Sequence, residues 1–412
     1  MPVLTNIGAL ARCLPSGPQS DIHLLQRAAI AWEGERIRWV GLEAELPAEL
    51  RGWSREDAGG RLVIPGLVDC HTHLAFAGWR ANEFAQRLAG KSYLEIAAAG
   101  GGIASTMAMT RAASHADLVA RCREHLAGMA ALGVTTVEAK SGYGLTQEHE
   151  LGLLRVYREL ADGPQRIVAT LLAAHIVPPE YRERRAAYVA LIVDSLIPAV
   201  AAEGLATFCD VFVEDGAFTP DEARTIFAAG ARHGLRPKLH ADQLSSGGGA
   251  ELAAEVHAIS ADHLEQVAPA GIRRLAEAGV VAVSLPFAAL YLAVAPLPAR
   301  RLLAAGVAVA VATDFNPGTA PSYHLPVALT LACTLQRMSP AEALKGATAV
   351  AARALGLDPE LGSLEPGKSA DFVLLEAESV DQWLYHLRPN ACVRTVARGR
   401  TIFDAAGATL RD

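Results

Sequence analysis

The sequence has no basic cluster beyond short pieces such as Tyr181-Arg182-Glu183-Arg184-Arg185. That pattern reads as a solvated helix face, and the formal net charge of −7 offers a polyanion no footing. Nucleic acid is therefore not expected as a partner. Paired cysteines are also missing. The six present (Cys13, Cys70, Cys122, Cys209, Cys333 and Cys392) lie far apart, with no CxxC. They suit buried thiols in a reducing compartment, hence a cytoplasmic chain. Long apolar runs are scarce. Phe287–Ala295 and Leu302–Ala312 are too short to span a bilayer, so no membrane association is expected. The N-terminus lacks a basic stretch followed by a long apolar one, so no signal peptide is expected. No low-complexity tract occurs. With 51% hydrophobic and 20% charged residues over 412 positions, the chain reads as folded and larger than one small core.

From about residue 60 to 350, short β-rich runs alternate with helical stretches. Eight runs stand out: Leu62–Asp69, Val134–Lys140, Arg166–Ala174, Phe208–Val213, Arg236–Ala241, His257–Asp262, Val280–Leu285 and Val307–Thr313. Most are continuously apolar, as parallel strands buried on both faces must be. Segments such as Leu118–Leu132 and Pro220–His233 carry helical patterns between them. Eight such units predict an α/β chain folded as a (β/α)₈ TIM-like barrel over residues 61–354. The flanks read differently. Ile22–Trp32 and Arg36–Val40 flank a turn at Glu33-Gly34-Glu35. Ala370–Leu375, Val393–Arg398 and Arg400–Phe403 follow the barrel. These hairpin-like runs predict a small β-sandwich domain built from both termini, residues 1–60 plus 355–412.

In such barrels, catalytic groups sit at the C-terminal ends of the strands. The first run ends in Asp69-Cys70-His71-Thr72-His73. Residues i and i+2 of an extended segment face the same side, so His71 and His73 can aim two imidazoles at one point. The third run ends at His175, the fifth at His240-Ala241-Asp242-Gln243, the sixth at Asp262-His263, and the eighth at Asp314. So many histidines at one rim point to a metal centre. His71, His73, His240 and Asp314 supply three imidazoles and a carboxylate, with a place left for water. A divalent ion lowers the pKa of bound water from about 15.7 toward 7 and yields a hydroxide nucleophile. His263 is left as a base or orienting group, and Asp314 as a shuttle for the proton.

At these residues the chain resembles the amidohydrolase superfamily. Its binuclear members carry a lysine at the end of strand four. Here that strand ends Val211-Phe212-Val213-Glu214, and Lys140 ends strand two, where a salt-bridge or structural role fits better. Local sequences narrow the match. His71-Thr72-His73-Leu74-Ala75-Phe76-Ala77-Gly78-Trp79-Arg80, Glu138-Ala139-Lys140-Ser141-Gly142-Tyr143-Gly144, Ala173-Ala174-His175, Leu239-His240-Ala241-Asp242-Gln243 and Thr313-Asp314-Phe315-Asn316-Pro317-Gly318-Thr319 look like the imidazolonepropionase family of histidine degradation. By that resemblance the metal ligands are His71, His73, His240 and Asp314, the ion is zinc or iron, and a homodimer is the family expectation. Substrate contacts map to Arg80, Tyr143, His175, Gln243, Asn316, Gly318 and Thr319. The family substrate, 4-imidazolone-5-propanoate, has a cyclic amide and a carboxylate tail. Arg80 offers a planar fork for the tail. His175 is expected to donate to the carbonyl oxygen that becomes an oxyanion. Hydroxide attack and C–N cleavage would give N-formimidoyl-L-glutamate.

Gln243 bears on the choice of reaction. Cytosine-type deaminases resemble this chain but carry a glutamate there, which protonates a ring nitrogen. An amide cannot act as an acid, so Gln243 is assigned to orienting substrate or water. The alternatives are a deaminase of a nitrogen heterocycle and a non-catalytic metal-binding homologue. Gly362-Ser363-Leu364-Glu365-Pro366-Gly367-Lys368-Ser369 matches a phosphate-binding loop in letters, but the strand-like Ala370–Leu375 follows it where a helix should. It reads as a turn into the β domain. Ser245 is expected to cap a helix. Gly100-Gly101-Gly102 is either a loop over the site or a linker.

Overall fold

The computed structural model describes residues 1–91, 95, 96 and 99–408. Two sheets organise them. The first, built from both ends of the chain, contains β1 (Pro2–Ala11), β2 (Leu24–Glu33), β3 (Arg36–Leu42), β4 (Ser54–Asp57) and β5 (Leu62–Pro65). The second contains β6 (Leu67–Asp69), β7 (Val134–Lys140), β8 (Arg166–Ala174), β9 (Phe208–Val213), β10 (Arg236–Ala241), β11 (Ser260–His263), β12 (Val281–Ser284) and β13 (Val309–Val311). The chain then returns to the first sheet with β14 (Phe372–Leu375), β15 (Cys392–Ala397) and β16 (Arg400–Asp404).

Strands β6 to β13 lie in chain order and pair in parallel, the (β/α)₈ arrangement. Their apolar runs are buried on both faces; every residue of β7 is buried. Helices cover the outside, and their starts follow the capping chemistry of the sequence. Ser114 caps His115–Ala131, Thr146 caps Gln147–Leu160, and Thr219 with Glu222 forms a capping box on Pro220–Arg232.

The ring is nearly closed, and its seam lies just past the strand ends. The Asp69 carboxylate accepts bonds from the Thr313 amide (3.0 Å) and hydroxyl (2.6 Å). The Asp314 amide donates to His71 O (3.0 Å), and Thr72 bridges Phe315 in parallel. The seam thus brings the segment after β6 against the segment after β13.

The terminal sheet runs β16-β15-β14-β5-β1-β2-β3, with β4 also on β1. Its two halves fold over one apolar core. Trp32 of β2 meets Phe372 of β14 with ring centroids 5.0 Å apart, although β1 and β5 separate those strands within the sheet. That contact makes the sheet a two-layered sandwich.

Three expectations need correction. The run Leu62–Asp69 is not one strand. Leu62–Pro65 pairs with β1 and β14 in the terminal sheet, and only Leu67–Asp69 joins the barrel. The chain crosses between sheets at Gly66, where a Cβ would lie 2.3 Å from Thr135 Oγ1. Second, Pro2–Ala11 forms a ten-residue strand that was not anticipated. Third, a longer apolar run exists than those named. The helical run Pro179–Glu203 is long and apolar enough to cross a membrane by length and composition. Here Tyr188, Ile192, Leu196, Ile197 and Val200 bury one side of it in the barrel core. The loop at Gly362–Ser369 behaves as a turn. Lys368 Nζ donates to Asp358 O and Ser363 Oγ, and the Ala370 amide pairs with Glu35 O.

Candidate active site

The C-terminal rim of the barrel opens into a cleft. His73, His240, His263 and Asp314 line it together with Arg80, Tyr143, His175, Gln243, Asn316 and Thr319. Every predicted site residue except His71 and Gly318 therefore faces one space. His71 lies beneath the floor, fully buried. Gly318 lies behind Arg80.

His71, His73 and His240 bring ligand-type atoms within 4.8 Å of one another, and so do His71, His263 and Asp314. Asp314 Oδ1 lies 3.5 Å from His71 Nε2 and 3.3 Å from His73 Nε2. Below the rim, each of two imidazoles has its own carboxylate. His71 Nδ1 donates to Asp262 Oδ2 (2.6 Å), and His240 Nδ1 donates to Asp210 Oδ1 (3.0 Å). These bonds fix which nitrogen carries the proton. The opposite nitrogens, His71 Nε2 and His240 Nε2, are buried without a hydrogen-bond partner. Buried ring nitrogens turned to one space and left without a hydrogen bond are what a divalent ion requires, and this donor set fits one, the ion displacing the proton that His71 otherwise holds.

The electrostatics follow from burial and these partners. Burial and the charge of Lys140 oppose a proton on His71, but Asp262 and Asp314 outweigh them and lift its pKa to about 9. Burial dominates at His240 and pushes it down to about 3 despite Asp210. Burial also tends to raise Asp314, yet the adjacent imidazoles of His71 and His73 hold it well below the usual carboxylate range. His263 and Asp314 both adopt left-handed backbone, φ +80° and +56°, uncommon for such residues and typical of strained functional loops.

His175 stacks on His73 at 5.2 Å. Its Nδ1 lies 3.0 Å from Gly142 O, an acceptor only, so Nδ1 holds the proton. Burial, with the charges of His73 and His240, holds its pKa well below the usual value. The neutral ring then offers Nε2 as an acceptor. This differs from the oxyanion-donor role expected of it. Asn316 lines the cleft and has a structural task as well. Its amide builds the loop after β13, donating to Asp314 O (2.7 Å) and accepting from the Gly318 and Thr319 amides (2.8 Å each).

Arg80 is 5% exposed, and its Nε and Nη1 have no hydrogen-bond partner. Glu83 Oε2 is nearest, at 3.6 Å from Nε. The guanidinium lies over Gly318, where a Cβ would fall 1.1 Å from Nη2. Glu83 also accepts from the Gly102 amide (2.8 Å), and Ile103 of the same turn lines the cleft. The Gly100–Gly102 turn therefore leads directly into the site wall at Ile103.

Several contributors were not singled out from the sequence. Asp210 and Glu138 lie under the histidines, as does Asp262, which the sequence placed at the rim without a role, and Glu150 anchors the turn that carries Tyr143 by accepting from the Gly142, Gly144 and Leu145 amides. Asp242 caps the helix after β10 through the Gly247, Gly249 and Ala250 amides, a task expected of Ser245. Ser245 bonds Glu214 instead.

Comparison with known proteins gives one consistent picture. The family model described as "Amidohydrolase family" matches residues 62–402. An imidazolonepropionase of Anaeromyxobacter dehalogenans (strain 2CP-1) is 50% identical over 399 residues, covering 95% of this chain and 94% of that protein. One from Shouchella clausii is 44% identical over 407 residues, covering 98% and 91%. Among solved structures, a triazine hydrolase variant superposes with a TM-score of 0.78 at 18% identity, over 100% of this chain and 96% of that one. Escherichia coli guanine deaminase does so at 0.73 and 16%, over 98% and 100%. At such identities these two speak to the fold.

Proposed function

The chain belongs to the amidohydrolase family and, within it, to the imidazolonepropionases, and on that premise we propose that it hydrolyses the cyclic amide of 4-imidazolone-5-propanoate to N-formimidoyl-L-glutamate, a step of histidine degradation. Water adds its oxygen to the ring carbonyl, the C–N bond breaks, and the leaving nitrogen takes a proton. Nothing is oxidised or reduced.

The observation that carries this reading is Arg80. A buried guanidinium with two unsatisfied nitrogens opens on the same cleft as a cluster of imidazoles. It binds the propanoate tail and so sets the ring against the histidines. His71, His73, His240 and Asp314 would hold one zinc or iron ion. Such an ion supplies a Lewis acid that brings the pKa of water toward 7. His263, whose Nδ1 lies 3.6 Å from Glu265, takes a proton from the attacking water. Asp314 passes it to the leaving nitrogen. His175 accepts a ring N–H at Nε2, while Tyr143, Gln243, Asn316, Gly318 and Thr319 shape the rest of the pocket.

Six free cysteines support a cytoplasmic location. We further propose a homodimer, and a division into residues 1–60 plus 355–412 against 61–354. Metal-loaded protein should consume the ultraviolet absorbance of imidazolone propanoate and form the formimidoyl product. Chelation should stop the reaction and returned ion should restore it. Absence of turnover by loaded protein would overturn the reading. Ammonia release from a nitrogen heterocycle would favour a deaminase, which Gln243 disfavours. Unchanged activity in His263→Ala would favour a non-catalytic role for the centre.

A further inference from the structure

We propose that Lys140 is a positioning residue that ties the orienting partners of two ligand imidazoles into a single unit. The inference rests on reading His71, His73, His240 and Asp314 as a metal centre.

Lys140 ends β7 with no exposure. Its ammonium lies 2.6 Å from Asp210 Oδ2, 3.0 Å from Glu138 Oε1 and 3.3 Å from Asp262 Oδ2. All three carboxylates are fully buried. Asp262 Oδ2 is the same oxygen that accepts from His71 Nδ1. Asp210 uses its other oxygen for His240 Nδ1. An unbroken chain therefore runs His71–Asp262–Lys140–Asp210–His240, and it ends on the two unpartnered Nε2 atoms.

Each carboxylate has one other donor, from its own or the adjacent strand: Ser260 Oγ on Asp262 Oδ1 (2.6 Å) and the His240 amide on Asp210 Oδ1 (3.2 Å). Neither of these bonds ties Asp262 to Asp210, and two like charges under one site repel in so dry a setting. The ammonium between them supplies the link and offsets the repulsion. It links β7, β9 and β11, so the ring positions become a property of the barrel's strand register.

A second buried lysine supplies the control. Lys238 carries the same charge with the same burial, and its ion pair is to Glu138 Oε2 (3.0 Å). Its remaining bonds go to the carbonyls of Cys70 and Ala354.

The test compares wild type, Lys140→Met and Lys238→Met. Each is stripped of metal and titrated with Zn²⁺ against a chromogenic chelator. Circular dichroism of the metal-free proteins reports the fold. Loss of an outer partner typically weakens metal binding by about 10–100-fold. We expect at least a tenfold loss for Lys140→Met and a change within about twofold for Lys238→Met. Equal affinity in wild type and Lys140→Met, or equal losses in both lysine variants, overturns the proposal. Failure of wild type to bind Zn²⁺ overturns the metal-centre reading as well. If Lys140→Met does not fold, Asp210→Asn, Asp262→Asn and their double variant replace it. A single unit predicts that the double loss falls well short of the product of the single losses; multiplying losses overturn it.

Discussion

Replacing Arg80 should separate recognition of the substrate tail from the chemistry at the ring. Arg80→Met keeps the apolar stem and removes the guanidinium that lies 5% exposed with no hydrogen bond at Nε or Nη1. A hydrogen bond to a charged group contributes about 1.5–3 kcal/mol. Two of them to one carboxylate give about 3–6 kcal/mol, or about 10²–10⁴-fold in kcat/KM at 1.36 kcal/mol per decade. The protein itself should tolerate the change, because Glu83 keeps its bond to the Gly102 amide. The assay is the initial rate of absorbance loss with imidazolone propanoate and with an analogue whose carboxylate is an amide. The acid should lose two to four decades in kcat/KM with Arg80→Met. The neutral analogue should react with wild type and variant at rates within about threefold. Zn²⁺ content should be unchanged. Equal loss on acid and amide would refute the reasoning, since Arg80 would then act on the ring or on the fold.

Other outcomes follow from the same geometry. Gly318→Ala should reproduce the Arg80→Met kinetics with normal Zn²⁺ binding, because its Cβ falls 1.1 Å from Arg80 Nη2; unchanged kinetics would show that the guanidinium has another resting place. Gly66→Ala should cost about 1–3 kcal/mol in urea unfolding, since its methyl meets Thr135 Oγ1 at 2.3 Å and Cγ2 at 2.6 Å where the chain leaves one sheet for the other. Alkaline pH should destabilise the protein. Burial pushes Cys13 and Cys122 up to about 12 and Cys392 to about 11, so the unfolded chain loses those protons first as pH passes 9. Stability then falls by about 1.4 kcal/mol per pH unit for each thiol between 9 and 11, and Cys122→Ala should make that decline shallower in urea titrations.

The barrel was legible because its strands are continuous apolar runs. Val134–Lys140, Arg166–Ala174, Phe208–Val213 and Arg236–Ala241 appear at the bounds their sequences suggest. The terminal sheet hid its centre. β1 reads Pro-Val-Leu-Thr-Asn-Ile-Gly-Ala-Leu-Ala, and Asn6 at φ +55° breaks the alternation that marks a strand. The break has a purpose in the fold. Residues before it pair with β4 and residues after it pair with β5, so one strand serves two partners. Leu62–Asp69 misled for the opposite reason. Its apolar pattern continues through Pro65-Gly66, and nothing local says that the two halves belong to different sheets.

The same asymmetry governs the site. Residues of the rim could be found because strand ends are local features, and His71 and His73 share a face by spacing alone. The groups beneath could not. Asp262 is 191 residues from His71, and Asp210 is 30 from His240. In sequence each is one acidic residue in a short strand, indistinguishable from an outward-facing charge. Only the closed ring turns them inward and supplies Lys140 as their common counterion. The residues that hold the imidazoles are therefore set by topology, and those that line the cleft by local motif. A chain can keep its rim motif and still lose the orientation of its imidazoles if the strands below slip by one residue, because a one-residue slip sends each carboxylate to the other face.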